Sequence, residues 1–173
     1  MAPLCGNKWR KLKHNLSHVL ANKYEGILTF GGAHSNHLSS VAFIGKENGL
    51  KTIAIVRGDE HVPRSETLLF CEDNQMQLLF ETRENYRKRN DEDYLTVWKE
   101  KFSNFFIIPE GGANEFGVIG CEEIVSELDI DFDFITVDCG TGATLAGMIR
   151  QLKPHQKAIG VQVLKGRDFI SEE

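Results

Sequence analysis

The chain has 173 residues, 41% of them hydrophobic and 26% charged, and carries a net charge of -5. That length supports one or two small domains around a buried core, because folding hides roughly 68–70% of the extended surface of a chain of about 150 residues. The acidic balance argues against a nucleic-acid binder, and no apolar run reaches the roughly 18 residues that a membrane-spanning helix needs.

In chain order, CGNKWRKLKHNL at 5–16 gathers Lys8, Arg10, Lys11 and Lys13 around Trp9. Leu12, Leu16, Val19 and Leu20 then mark one face of a helix that ends near Lys23. GILTF at 26–30 reads as a short buried strand, and the loop GGAHSN leads into a helix over 38–47 that exits at Asn48-Gly49. A strand at 52–56 (TIAIV), a helix over 65–71 and a strand at 77–80 (QLLF) follow. The polar run ETRENYRKRNDED at 81–93 is expected to wrap a surface. Leu95, Trp98 and Phe102 recur at helical spacing before a strand at 105–108 (FFII), with Tyr94 and Trp98 read as packing aromatics. The glycine-rich PEGGANEFGVIG at 109–120 marks a domain crossing, and a helix covers 115–128. The pattern closes with a strand at 134–137, a helix over 144–152 and a strand at 158–163. Alternation of this kind specifies an α/β protein with a largely parallel sheet and helices on both faces.

Open parallel sheets bind ligands at the carboxyl ends of their strands. Three loops hold that position: 31–36, Gly58-Asp59 and 140–144. The last, in CGTGATLAG, offers Thr141, Gly142, Ala143 and Thr144 at a helix start, a phosphate cradle of backbone N–H groups and hydroxyls. It is neither a P-loop nor a GxGxxG turn, and many glycine-rich turns bind nothing. The loop GGAHSNH concentrates His34, Ser35, Asn36 and His37, where a plain helix cap explains only one of them. Lys8 qualifies as a Schiff-base lysine because neighbouring cations Arg10 and Lys11 penalise its ammonium form. A solvated basic face explains the same residues equally well. His14 and His18, four apart, lack the glutamate of HExxH and are placed on the solvated face, so no metal site is expected. Cys5, Cys71, Cys121 and Cys139 have neither zinc-knuckle nor redox-dithiol spacing and no secretory leader is legible, which predicts free thiols in a soluble, cytoplasmic protein.

Taken together and in order, GNKWRKL at 6–12, TFGGAHSNHL at 29–38, IPEGGANEFGVIG at 108–120 and CGTGATLAG at 139–147 closely resemble one family. It is that of aminocyclopropane-carboxylate deaminase and D-cysteine desulfhydrase, fold-type-II pyridoxal-phosphate enzymes of the tryptophan synthase β-like group. The resemblance implies a three-layer α/β architecture: residues 1–11 as a remnant of the large domain, 12–108 as the small domain and 109–173 as part of the large domain. An intact member is close to twice this length. The implied cofactor is pyridoxal 5'-phosphate and the implied substrate a small amino acid, with a homodimer as the family's usual assembly and no nucleic-acid or membrane partner.

Residue by residue, Lys8 matches the lysine that holds the cofactor and moves the substrate α-proton, and Asn7 shapes the same pocket. Lys11 matches a lysine near the cofactor phosphate, and Thr141, Gly142, Ala143 and Thr144 match the phosphate loop. Ser35 corresponds to a hydroxyl that meets the substrate carboxylate or shuttles a proton, and Asn36 to the amide that bonds the ring oxygen. His37 stands where the deaminase branch usually has glutamine, a departure that favours the desulfhydrase side. The implied activity is deamination or desulfhydration. The alternative is a truncated homologue without chemistry, because the ring-nitrogen partner and a substrate-facing tyrosine lie in the family's C-terminal part. A nucleotide- or phosphosugar-binding module rests on CGTGATLAG alone.

Overall fold

The computed structural model describes residues 6–163. Its elements are α1 (Asn7–Ala21), β1 (Gly26–Gly32), α2 (Asn36–Glu47), β2 (Lys51–Arg57), α3 (Glu66–Asp73), β3 (Gln77–Glu81) and α4 (Arg83–Tyr86). They continue with α5 (Glu92–Lys101), β4 (Phe105–Ile108), a tight turn at Glu110–Gly112, α6 (Glu115–Ser126), β5 (Phe134–Cys139), α7 (Ala143–Arg150) and β6 (Lys157–Gln162). Each strand and helix expected from periodicity is present.

Four strands form a parallel sheet in the order β3-β2-β1-β4, with Gly26 opposite Lys51 and Phe105 at the start of the central strand. The period-2 alternation of strand side chains explains its two packed faces. Ile27, Ala54 and Val56 point into one core with Leu12 and Val19 of α1, Leu38, Val41 and Ile44 of α2, and Leu68 of α3. Leu28, Phe30, Ile53 and Ile55 point the other way, onto Tyr86 and Trp98. β1 is buried along nearly its whole length, as expected of a central parallel strand. β5 and β6 form a second, two-stranded parallel sheet, and α6 and α7 pack together with α1.

Three expectations need correction. Leu20 lies off the buried stripe of α1 and is 47% exposed, because α1 presents Lys11, Leu12, Asn15, Leu16 and Val19 inward instead. The polar run at 81–93 is not purely surface: Tyr86 at the end of α4 is fully buried. His14 and His18 are half-buried and engaged, rather than on a fully solvated face. His14 Nε2 approaches Glu123 at 3.5 Å, and the His18 ring packs against Phe106 and Phe116, both at 4.8 Å between centroids. Among the described residues no group of three His, Cys, Asp or Glu side chains is arranged for a metal, and no helix is long and apolar enough to cross a membrane. Cys71, Cys121 and Cys139 are free and buried; burial pushes the Cys71 thiol up to about 12. Cys5 lies outside the described residues.

Candidate active site

Helix α1 begins at Asn7, so Lys11 neighbours both Asn7, four positions before it, and Lys8, three before it, on the helix surface. That face meets the turn after β5. Lys11 Nζ donates to Thr141 Oγ1 at 3.4 Å, and Asn7 Nδ2 donates to Thr144 Oγ1 at 3.1 Å. Gly142, with φ 77° in the left-handed region, carries the chain from β5 into α7. No side chain caps this helix start, so its first N–H groups and the positive end of its dipole are available to an anion. Beside the turn lies a cleft of about 300 Å³ walled by Ala113, Val118, Thr141, Gly142, Leu145 and Ile149.

Lys11 is 3% exposed. Burial, and then the charge of Lys8, lower its pKa to about 8, while the Cys121 and Cys139 thiols act in the opposite direction. The remaining cations of the basic stretch are engaged elsewhere. Arg10 pairs with Glu127 at 2.6 Å and with Glu123 at 3.3 Å, and Lys13 also bonds Glu123. Arg10 is therefore clamped to α6, and the cation that crowds this face beside Lys8 is Lys11.

The turn at Glu110–Gly112 covers the same place. Gly111 and Gly112 have φ of 68° and 70°, which side-chain-bearing residues rarely adopt. A β-carbon at Gly111 would stand 3.0 Å from Thr141 Cγ2, and one at Gly112 would stand 3.2 Å from Lys11 Cβ and 3.7 Å from His37 Cε1. Two glycines thus let the backbone close over Thr141, Lys11 and His37 together. Asn114 fixes the far end of the turn: its Oδ1 accepts from Gly117 N at 2.9 Å as the cap of α6. Its Nδ2 donates to Asn15 Oδ1 at 2.7 Å, and Asn15 Nδ2 donates to the Lys11 carbonyl, also at 2.7 Å.

His37 is buried on the first turn of α2. Its Nε2 lies 2.8 Å from Thr29 Oγ1, and that hydroxyl donates to the Ile108 carbonyl at 2.8 Å. Burial, followed by the charges of Lys8 and Lys11, holds the imidazole at about 3, so the ring is neutral. Ser35 occupies the N-cap position of α2, yet its hydroxyl makes no cap bond. Asn36 is exposed. Among the described residues neither side chain bonds to Lys11, Thr141 or Thr144.

The structure therefore brings Asn7, Lys11, Thr141 and Thr144 into direct contact, with Lys8 one turn before Lys11 and His37 across the glycine turn. The Gly58-Asp59 loop does not join them. It lines a separate cleft of about 810 Å³ with Ala33, Arg57, His61, Phe80 and Arg83. Thr29, Gly111, Gly112 and the Asn15–Asn114 pair shape the site but were not legible as such. A threonine inside an otherwise apolar strand was the available signal for the first, and the double glycine for the turn.

Comparison with known proteins identifies the family and the fold. Residues 1–172 match the family described as pyridoxal-phosphate dependent enzyme. The putative 1-aminocyclopropane-1-carboxylate deaminase of Pyrococcus furiosus is 31% identical over 174 residues, covering 92% of this chain and 52% of that protein. The D-cysteine desulfhydrase of Klebsiella pneumoniae is 25% identical, covering 91% of this chain and 52% of that protein. A crystal structure of an ACC deaminase homologue superposes with a TM-score of 0.75 at 25% identity, over 96% of this chain and 54% of the other. Serine racemase from Dictyostelium discoideum, at 18% identity and a TM-score of 0.68 over 90% of this chain and 50% of the other, shares the fold. The chain spans about half the length of the curated relatives it matches.

Proposed function

The chain belongs to the pyridoxal-phosphate dependent enzyme family, and from that premise we propose that it serves deamination or desulfhydration of a small amino acid, with D-cysteine as the leading substrate. The observation that carries the proposal is the joining of the GNKWRKL face to the CGTGAT turn through Lys11–Thr141 and Asn7–Thr144. A helix face that carries amines then stands against an anion cradle, as a cofactor bearing both an aldehyde and a phosphate requires.

The residues fit such a group. The uncapped start of α7, with the Thr141 and Thr144 hydroxyls and the backbone at Gly142 and Ala143, would hold the phosphate, with Lys11 supplying a neutralising charge. Lys8 would supply the amine, and Asn7 fixes the start of its helix against Thr144. When bound, pyridoxal phosphate supplies an electron sink that stabilises negative charge at the substrate α-carbon. Lys8 would then take the α-proton, and Ser35 would meet the substrate carboxylate or pass a proton, since its hydroxyl is not spent on capping α2. Asn36 beside it would orient the ring oxygen. Residues 1–11 and 109–173 would form the large-domain side of the cleft and 12–108 the small-domain side.

With D-cysteine the net reaction consumes one water and gives pyruvate, sulfide and ammonia. The test is pyruvate release from D-cysteine by the purified chain with added cofactor. Release that disappears in Lys8→Ala is expected; release that persists in that variant would rule out the assignment.

A second reading, a homologue that folds without completing a catalytic pocket, is favoured by the surface of the second sheet. Phe134, Ile159, Val161 and Val163 are 61%, 45%, 46% and 55% exposed, whereas parallel sheets are normally covered on both faces. Cofactor binding without turnover of D-cysteine or of the cyclopropane amino acid is the outcome that selects this reading.

A further inference from the structure

The double glycine that closes over the site is its least self-supporting part. Gly111 and Gly112 sit in consecutive left-handed conformations, and glycine gives up more backbone freedom on folding than any other residue. A turn built this way keeps its place only if both of its ends are held. Asn114 holds the far end. At the near end stands Glu110, whose Oε2 lies 2.6 Å from Arg89 Nε. The contact is one of charge, because Arg89 Nε makes no directed hydrogen bond among the described residues. Arg89 belongs to the polar run after β3, and of the cations in that run it is the one that pairs with a carboxylate among the described residues. Its guanidinium lies 5.2 Å over the ring of Tyr86. That ring is fully buried and meets Phe30 of the central strand edge-on, 6.4 Å between centroids.

We propose that Arg89 is a positioning residue for the candidate active site: seated on Tyr86, it holds Glu110 and thereby keeps the Gly111-Gly112 backbone closed over Lys11 and Thr141. The path is short. Glu110 directly precedes Gly111, whose missing β-carbon lets the backbone lie against Thr141, and Gly112 packs in the same way on Lys11. The turn also packs against β1 and α2. The buried tyrosine inside a charged run is thereby accounted for as the platform of this contact. The titratable groups that bear on Lys11 are Lys8 on its own helix, the Cys121 thiol of α6 and the Cys139 thiol of β5, with the neutral His37 of α2 across the turn. Neither Arg89 nor Glu110 is among them, so their influence passes through the backbone of the turn. Burial is the main reason that Lys11 titrates at about 8. A turn that opens admits water and returns the amine towards its ordinary 10.5. That this serves a cofactor phosphate rests on the proposed function; the coupling of Arg89 to Lys11 does not.

The test is carbon-13 NMR of the full chain, without cofactor, with lysine labelled at Cε; the Lys11 signal is the one lost in Lys11→Met. Wild type should titrate at about 8 at this position. Arg89→Met and Glu110→Gln should each raise that midpoint by about one pH unit. The double variant should raise it no further than either single one, since both remove the same contact. Arg89→Lys, which keeps a cation against Glu110, should stay close to wild type. So should Arg87→Met, which removes an equal charge from the same run. A loss of global stability alone leaves the midpoint of the folded protein where it was. Should Arg89→Met fail to fold, Glu110→Gln and Arg89→Lys carry the comparison. Midpoints equal to wild type in Arg89→Met and Glu110→Gln, additive shifts in the double variant, or a shift in Arg87→Met as large as in Arg89→Met overturn the proposal. A chain that shows the coupled shifts but binds no pyridoxal phosphate strikes the proposed function and leaves the role of Arg89 standing. Bound cofactor with a Lys11 midpoint indifferent to these variants does the reverse.

Discussion

At the scale of single residues, the site is organised by the burial of cations with few carboxylates nearby. Lys11 is the clearest case: its pKa is lowered to about 8, first by burial and then by Lys8. Unfolded, the same amine titrates at its ordinary value of about 10.5. Between these values the unfolded chain binds more protons than the folded one, so stability rises with pH through that window and the buried ammonium is a liability below it. A shift of this size corresponds to about 3 kcal/mol. Lys11→Met should therefore be more stable than wild type near neutral pH and should lose the alkaline rise; urea midpoints at neutral and alkaline pH measure both. His37 behaves in parallel on the acid side. Held near 3 against an ordinary 6.5, it makes the fold lose stability as pH falls from 6.5 towards 3. His37→Gln should flatten that part of the acid-denaturation curve. Neither depression was legible from charge spacing alone, which attributed the crowding of Lys8 partly to Arg10. Arg10 is drawn off by Glu123 and Glu127, residues more than a hundred positions away, and sequence proximity carries no information about that pairing.

At the scale of elements, α1 is positioned by contacts with α6 that require the absence of side chains. A β-carbon at Gly120 would overlap the Arg10 carbonyl, and one at Gly117 would overlap the Gly112 carbonyl. Gly120→Ala should destabilise the chain by about 1–3 kcal/mol through overpacking and weaken cofactor binding, because α1 carries Lys8 and Lys11. Asn114→Ala removes the cap of α6 and strands the buried Asn15 amide; about 1–2 kcal/mol should be lost in urea denaturation. The elements themselves were legible. Alternation in GILTF and TIAIV sends successive side chains to opposite faces, and the structure sorts Ile27 and Leu28 into opposite cores accordingly. Pairing was not legible, because the hydrophobic period of β4 does not reveal that it adds beside β1 rather than β3. Nor was the inward turn of Tyr86, hidden in a run of charges whose composition indicates solvent.

At the scale of the whole molecule, two parallel sheets are joined through α1 and α6, and the residues gathered at the site come from both ends of the described chain. The resemblance implies that Asn7, Lys8, Lys11, Ser35, Asn36 and the 141–144 turn serve one site; Lys11 and Asn7 do meet that turn, and the glycine turn at 111–112, to which the sequence assigned no role in the site, closes over Lys11, Thr141 and His37. Ser35 and Asn36, placed beside the others by resemblance, make no side-chain bond to Lys11, Thr141 or Thr144 among the described residues, and their proposed roles depend on a ligand between them. Central to the proposed function is Lys8 as the amine of a pyridoxal-phosphate site built on the Lys11–Thr141 and Asn7–Thr144 contacts. The most direct measurement is the visible absorbance spectrum of the purified chain titrated with pyridoxal phosphate, alongside Lys8→Ala and Lys13→Ala. A saturable band that vanishes in Lys8→Ala and survives in Lys13→Ala, whose lysine pairs with Glu123, is the predicted result. A band of equal strength in Lys8→Ala, or none in the wild-type chain, would contradict it.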